Sequence, residues 1–576
     1  MDALRPRLSA GAFFVLKIAA DRLKDSVINR DARVKPHKKH NQIVALLTEG
    51  QAALEKGQLD GAETHFKAGL KIDARNPDVL LGLAKVQQAK GNREEARVFY
   101  KRAVIFSSQE PVILNAYGLF LNAIGDFDGA IEQFQLMLRS KGNLAPGIHK
   151  AAMNNLAIAH RAAGRPGAAV EFYVEFERLY GASFLSLYNK GNAYEDMGDF
   201  GSAIATYQQA LKLEPNDVWT RLNLAESYSN SGLLSEADRA FDRAEKISPN
   251  NEIIRFARAL LKIRSGEYRE GFRDYDARWN TPGFIKSESE QAYPFKPYLS
   301  TIDHADDLGG KRVLLVNEQG VGDTIMFLSI LNDVSRIASS VTVLLTKRLL
   351  RLFRHSFPAV KFRDIAEFKV GEAKDFEVVM PTGSLPRLFR PDAASFSGAP
   401  YLKPSSAASE LFRETLVGRR PHRLVGISWR GGTTTSRMHH RSLALTQLLP
   451  LFRLENATFV SLQYGDVADE IDQFNREHGL DILHFPKSTL DDFDDFAGLV
   501  EQLNCVVSVQ NTTVHICGAI GKKCFAMIPV TAEWSFGSDL HKMVWYQSVQ
   551  LLRQASVGQW DDVIDAARQS MTGLRN

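Results

Sequence analysis

The stretch Gly125–Phe134, GDFDGAIEQF, decides the reading of the first half of the chain. It holds a glycine, an alanine five residues on, and an aromatic four residues beyond that, so the alanine and the ring share one helical face. The same three positions return every 34 residues: Gly57, Gly91 and Gly125; Ala62, Ala96 and Ala130; Phe66, Tyr100 and Phe134. After a five-residue insertion they resume as Gly164, Gly198, Gly232 and Gly266, with Ala169, Ala203, Ala237 and Gly271, and with Tyr173, Tyr207, Phe241 and Tyr275. The glycine breaks one helix and permits the turn, the alanine lets the next helix come close, and the ring fills the space between them. Pro77, Pro111 and Pro215 fall where one unit ends and the next begins, a place suited to a residue that cannot continue a helix.

This period and this residue chemistry are those of tetratricopeptide repeats. Residues 43–280 are therefore expected to form an α-solenoid of about seven units with a concave groove. Such an array binds rather than reacts. A peptide or protein segment in the groove is the leading expectation, and a spacer between domains is the alternative. The last unit, GEYREGFRDYDARW (Gly266–Trp279), carries Gly271 where the others carry alanine and is read as a cap that docks onto the next domain.

At 576 residues the chain needs several cores, and 44% hydrophobic and 24% charged residues are ordinary for a soluble protein. A net charge of +4 offers no nucleic-acid surface. No apolar run reaches the roughly 18 residues of a membrane span, so no stable membrane insertion is expected. The N-terminal AGAFFVLKIAA is read as an amphipathic helix on the body, and the basic RVKPHKKH (Arg33–His40) as a solvated linker, together filling residues 1–42. Cys505, Cys517 and Cys524 fit neither a zinc site nor a disulfide framework and are read as buried apolar side chains on two strands and the helix between them, as suits a reducing cytoplasm.

After a connector at 281–304 the pattern changes. RVLLVNE, VTVLLT, FEVVMP, LVGISWR, TFVSLQY, CVVSVQ, KCFAMIP and VQLLRQ alternate with helical stretches, which implies parallel sheet covered on both faces. A Ser-, Ala- and Pro-rich passage, SGAPYLKPSSAASE, suggests a linker at 404–420 between two Rossmann-like lobes, 305–403 and 421–576, with a cleft at their strand ends.

Five motifs in order, NEQGVGDTIMF, GISWRGG…RSL, VSLQYGD, SVQNTTVHICGAIGKK and WYQSVQLLRQ, resemble the heptosyltransferase-like glycosyltransferases that follow tetratricopeptide repeats in many bacterial proteins. The GFRDYDARW unit is similar to the last repeat of those proteins. The resemblance covers roughly Gly266 to the end. It implies an α/β GT-B fold, an inverting mechanism, a nucleotide-sugar donor as substrate, no cofactor and no metal. It also suggests a protein acceptor in the repeat groove, with flagellin as the candidate, because bacterial flagellin glycosyltransferases share this architecture. The other readings are a glycan- or lipid-linked acceptor, or a repeat scaffold whose transferase domain no longer turns over.

Carried onto this chain, the family's general base is Asp323, with Glu318 in the same loop as a second carboxylate; transfer to a hydroxyl needs a group to take the acceptor proton. On sequence alone Asp323 reads better as a helix N-cap, and it is the resemblance that favours the base. Gly320 and Gly322 let backbone approach a substrate. Asn511, Thr512 and Thr513 sit at a helix start, where the dipole favours a diphosphate. His515 resembles the family histidine near the donor, as a ligand of phosphate or sugar, or else packs between sheet and helix. Arg430, Arg437 and Arg441 are expected to neutralise the departing diphosphate. Gln463 reads the nucleotide base or is an ordinary strand-end polar residue. Where the family has valine-aspartate-threonine this chain has Val509-Gln510-Asn511, which puts the donor in question. The acidic run DDFDDF (Asp491–Phe496) is read as first-turn charge, and Trp534 and Trp545 as core.

Overall fold

A computed structural model describes residues 38–139, 144–281, 284, 291–418, 423–431 and 441–573. The expected N-terminal helix and most of the basic linker lie outside the described residues. The chain divides into two compact units between Ser231 and Gly232.

In the first unit the described residues form eleven helices, from Lys38–Glu55 to Val218–Asn230. Gly57, Gly91, Gly125, Gly164 and Gly198 all take positive φ, between 72° and 88°, at the turn inside each pair. Ala62, Ala96, Ala130, Ala169 and Ala203 are fully buried, and Phe66, Tyr100, Phe134, Tyr173 and Tyr207 are at most 2% exposed. Burying one such ring contributes roughly 2–3 kcal/mol. The rings rest on glycines that carry no sequence flag. A Cβ at Gly82 would stand 2.6 Å from the Phe66 ring, one at Gly118 2.6 Å from Phe134, and one at Gly191 2.5 Å from Tyr207.

The second unit opens with helices Leu234–Ile247, Glu252–Ser265 and Tyr268–Tyr275, and Gly232 and Gly266 keep the positive-φ turn. Two sheets follow. The first has strands β1 (Arg312–Val316), β2 (Ser340–Leu345), β3 (Lys361–Asp364) and β4 (Val378–Pro381), all parallel, in the order β3-β2-β1-β4. The second has β5 (Arg423–Ser428), β6 (Ala457–Ser461), β7 (Cys505–Val509), β8 (Cys524–Ile528), β9 (Lys542–Met543) and β10 (Tyr546–Arg553), in the order β6-β5-β7-β8-β10-β9. Only β9 runs antiparallel. β1, β2, β5 and β6 are buried along their length after the first residue, and β4, β7 and β8 throughout, as sheet covered on both faces requires. All eight apolar runs are strands. The sequence reading lacked β3 and β9, which are short edge strands without an apolar run. The segment expected to be a linker at 404–420 holds a helix, Ser406–Val417, capped by Ser405 and burying Phe412 and Leu416. One apolar core runs from Phe256, Phe272 and Tyr275 through both sheets. The three cysteines are free and buried, and no helix among the described residues is long and apolar enough to cross a membrane.

Candidate functional site

The two sheets present the carboxyl ends of their central strands, where open α/β proteins bind ligands. After β1 the chain turns at Gly320 into the helix Val321–Phe327. Gly320 is the N-cap and no side chain caps this helix; Asp323 is its third residue, half-buried. The N-cap reading of Asp323 is therefore corrected by one turn of register. The turn is held instead by Thr324, whose hydroxyl donates to Asn317 Oδ1 at 2.5 Å and to the Gly320 carbonyl at 2.9 Å.

Glu318 has a different place from the one its position in the loop suggests. Its side chain is fully buried, and its Oε1 accepts from Arg278 Nη2 at 2.8 Å and from the Gly383 amide at 3.1 Å. The Thr382 hydroxyl donates to Oε2 at 3.0 Å. A carboxylate with both oxygens occupied and no path to solvent holds the loop rather than taking a proton from a substrate.

On the second sheet, Asn511 is the N-cap of Thr512–Ile520, accepting from the Thr513 amide at 2.9 Å. Its amide nitrogen donates to Ser428 Oγ at 2.7 Å and to the Arg430 carbonyl at 3.1 Å, tying the end of β7 to the end of β5. Gln463 does the same from β6: its Oε1 accepts from the Trp429 amide at 2.9 Å and the Arg430 amide at 2.8 Å. Its Nε2 donates to the Arg430 and Tyr464 carbonyls, and the residue is 6% exposed. Gln463 is thus a brace between strand ends, not a reader of a nucleotide base. Arg430 pairs with Glu470 and Arg441 with Glu533, so neither guanidinium stands as an uncompensated cation. Arg437 lies outside the described residues. Gln510, the residue that departs from the family pattern, is buried and accepts from the Glu533 amide at 3.3 Å. Its carbonyl sits so close to the β5 loop that a Cβ on Gly431 would be 2.4 Å away.

The two edges meet at Gly322. A Cβ there would stand 3.0 Å from His515 Cδ2 and 3.6 Å from Thr512 Oγ1, so a larger residue would press on the second helix start. The structure therefore brings Gly322, Asp323, Thr512 and His515 together, with Asn511 and Thr513 in the cap behind them. His515 is 6% exposed, its Nδ1 faces the Tyr546 hydroxyl at 3.3 Å, and burial pushes its pKa down to about 4. It is a neutral imidazole at physiological pH, which removes charge as its means of holding a phosphate.

Two groups of residues escaped the sequence reading. One is Arg278, fully buried, which also donates to Asp276 at 2.7 Å and to Ser384 at 3.1 Å and lies over the Tyr275 ring at 4.6 Å. The other is an aromatic seam: Phe272 and Tyr275 of the last repeat meet Trp534 at 6.3 and 5.3 Å, Phe272 meets Trp545 at 6.3 Å, and Phe327 stacks on Trp534 at 6.2 Å. The motif GFRDYDARW contained both signals without their partners. The acidic run is more than first-turn charge: Asp492 caps Phe493–Gln502, and Arg351 reaches Asp492, Asp494 and Asp495.

Profiles described as tetratricopeptide repeat match residues 53–116, 151–175, 184–217 and 206–239. Protein FlbA of Caulobacter vibrioides is 26% identical over 334 residues, 54% of this chain and 53% of that protein. The chain thus spans about half the length of this curated relative. Among solved structures, pilF of Pseudomonas aeruginosa is 17% identical, covering 39% of this chain and 99% of its own, with a TM-score of 0.33. A tetratricopeptide repeat protein from Parabacteroides merdae is 16% identical, covering 42% of this chain and 94% of its own, with a TM-score of 0.37. The first half of the chain carries tetratricopeptide repeats, and the second carries two mostly parallel sheets.

Proposed function

We propose that this protein is an inverting glycosyltransferase of the GT-B type that moves a sugar from a nucleotide donor to a protein acceptor engaged by the repeats, with flagellin as the candidate acceptor. The observation that carries the reading is the seam at Gly322, where a half-buried carboxylate, Asp323, adjoins the start of a second helix at Thr512. In the proposed step Asp323 takes the proton of a Ser or Thr hydroxyl as its oxygen bonds to the anomeric carbon. The bond from that carbon to the diphosphate breaks, and the nucleoside diphosphate leaves with the electron pair. Thr512 at the helix start faces the diphosphate, with Asn511 and Thr513 holding the cap behind it. Tetratricopeptide repeats generally bind peptide or protein segments, which supports a protein acceptor.

The test is intact-mass spectrometry of flagellin from cells with and without this gene. Loss of whole sugar units on deletion, restored by the wild-type gene and not by Asp323→Asn, supports the reading. An unchanged flagellin mass removes flagellin and turns the search to glycan or lipid-linked acceptors.

A second reading, a scaffold without turnover, is favoured by one observation: Arg430 and Arg441 are each already paired with a carboxylate. A panel of nucleoside diphosphates in thermal melting separates the two, since a ligand that binds the folded state raises its stability by mass action. No shift with any nucleotide supports the scaffold.

A further inference from the structure

The beginning of β5, the turn that leads into β6 and the final helix Asp561–Thr572 enclose a cavity of about 410 Å³. Three arginines line it, one from each of these elements: Arg423, Arg453 and Arg568. We propose that this cavity binds a small phosphorylated molecule, with the guanidinium groups around its phosphate oxygens. It stands at the amino end of the second sheet, because Arg423 opens β5 and pairs in register with Ala457, which opens β6. The candidate site lies at the other end of the same strands, beyond Ser428, about 16 Å along β5. The proposal is therefore independent of the transferase reading.

The arrangement of charge carries the proposal. Arg453 and Glu455 line the same cavity two residues apart, yet among the described residues neither side chain has a hydrogen-bond or ion-pair partner. An exposed pair elsewhere on this unit, Arg363 and Glu372, closes to 2.6 Å. Arg568 reaches only Asp565, at 3.8 Å. Arg423 is fixed by a hydrogen bond to the Met571 carbonyl at the end of the final helix. Asn456, at φ 58°, turns the chain into β6, and its carbonyl accepts from the Arg423 amide at 2.7 Å, which ties the Arg453 turn to the start of β5. Three arginines against one glutamate leave the cavity net cationic, a potential that an anion relieves. A guanidinium is a planar fork of N–H donors that matches phosphate oxygens. Phosphate is tetrahedral and offers oxygens to several forks at once, whereas a planar carboxylate spreads its oxygens over fewer directions. The volume is that of a small-molecule site and exceeds what a single phosphate fills.

The experiment is isothermal titration calorimetry of the full chain with inorganic pyrophosphate at about 0.15 M salt, where non-specific attraction is screened. Wild type should bind it saturably. Arg453→Gln combined with Arg568→Gln should weaken this site by about 100-fold, in a variant shown folded by its melting curve. Arg453→Gln alone, which removes a side chain that touches no protein partner, should weaken it by about 10-fold and keeps the test decisive if the double variant does not fold. Arg239→Gln combined with Arg336→Gln removes the same charge from exposed positions elsewhere and should leave binding unchanged. Should pyrophosphate also occupy the helix start at Thr512, the Arg453 and Arg568 variant loses one of two equivalents. No binding to wild type, or full binding by that variant, overturns the proposal. An equal loss in the charge-matched control overturns it as well. Citrate, similar in charge but built of planar carboxylates, should bind about 10-fold more weakly, and equal binding overturns the phosphate assignment. A protein that transfers no sugar can still pass this test.

Discussion

Arg278 and Glu318, forty residues apart, meet at 2.8 Å with neither side chain reaching solvent. One comes from the end of the last repeat and the other from the loop that leads to Asp323. A buried ion pair adds little against a well-packed apolar pair, but breaking one partner strands the other charge in the core. Arg278→Met or Glu318→Met should therefore each destabilise the second unit by about 3–5 kcal/mol. Arg278→Met combined with Glu318→Met should cost less than the sum of the single changes. Denaturant unfolding followed by tryptophan emission checks this, because five of the six tryptophans lie beyond residue 232.

Asp323→Asn should leave that unfolding curve within about 1 kcal/mol of wild type, since it keeps the side chain's shape and changes the charge of a half-buried group in the first turn of a short helix. Transfer, if Asp323 is the base, should fall by roughly 100- to 10,000-fold. Retained turnover assigns the proton to another group.

Gly431→Ala sets a Cβ 2.4 Å from the Gln510 carbonyl, which is backbone and must move with its strand. The expected cost is about 1–3 kcal/mol, and the nucleotide binding proposed above should weaken with it, because Arg430 and Asn511 are tied to the same strand ends. A melting curve and a nucleotide titration read both effects, and an unchanged melting temperature argues against the close approach.

His515 gives a pH signature. Its folded pKa of about 4 lies below the unfolded value of 6.5, so below pH 6.5 the unfolded chain takes up a proton that the folded protein refuses. Its contribution to stability is complete above pH 6.5 and is lost as pH falls to about 4, a change on the order of 3 kcal/mol. The stability gap between wild type and His515→Gln should hold from pH 7 to 8. It should then shift in favour of the variant by about 2 kcal/mol by pH 4.5. A gap that stays constant over that range would show that the histidine is charged in the folded protein or exposed.

The repeats were legible because each carries its own instructions: a positive-φ glycine, a buried small residue (alanine in all but the last) and a buried ring within ten residues. The strands of both sheets were legible as apolar runs, and the strands without such a run were not. At the candidate site the sequence places motifs at strand ends but cannot say what each side chain is paired with. Glu318 and Asp323 look alike as carboxylates in one glycine-bearing loop. What separates them is Arg278, Thr382 and Gly383, brought in from both sides of the sequence. Gln463 and Arg430 likewise acquire their roles from Ser428 and Glu470, contacts that no local pattern announces.

The aromatic seam has an evolutionary corollary. Phe272 and Tyr275 belong to the repeat period, yet their rings are packed against Trp534 and Trp545 near the far end of the chain. A gene recombination that exchanged repeat arrays at residues 281–304 would bring a foreign last helix to this seam and lose the arginine that neutralises Glu318. A crossover near Ser231–Gly232, where the chain divides into its compact units, would carry helices Leu234–Ile247 to Tyr268–Tyr275 along with the sheets. Lineages that diversified by array exchange should therefore share their last repeat with the sheet domain and not with the repeats before it.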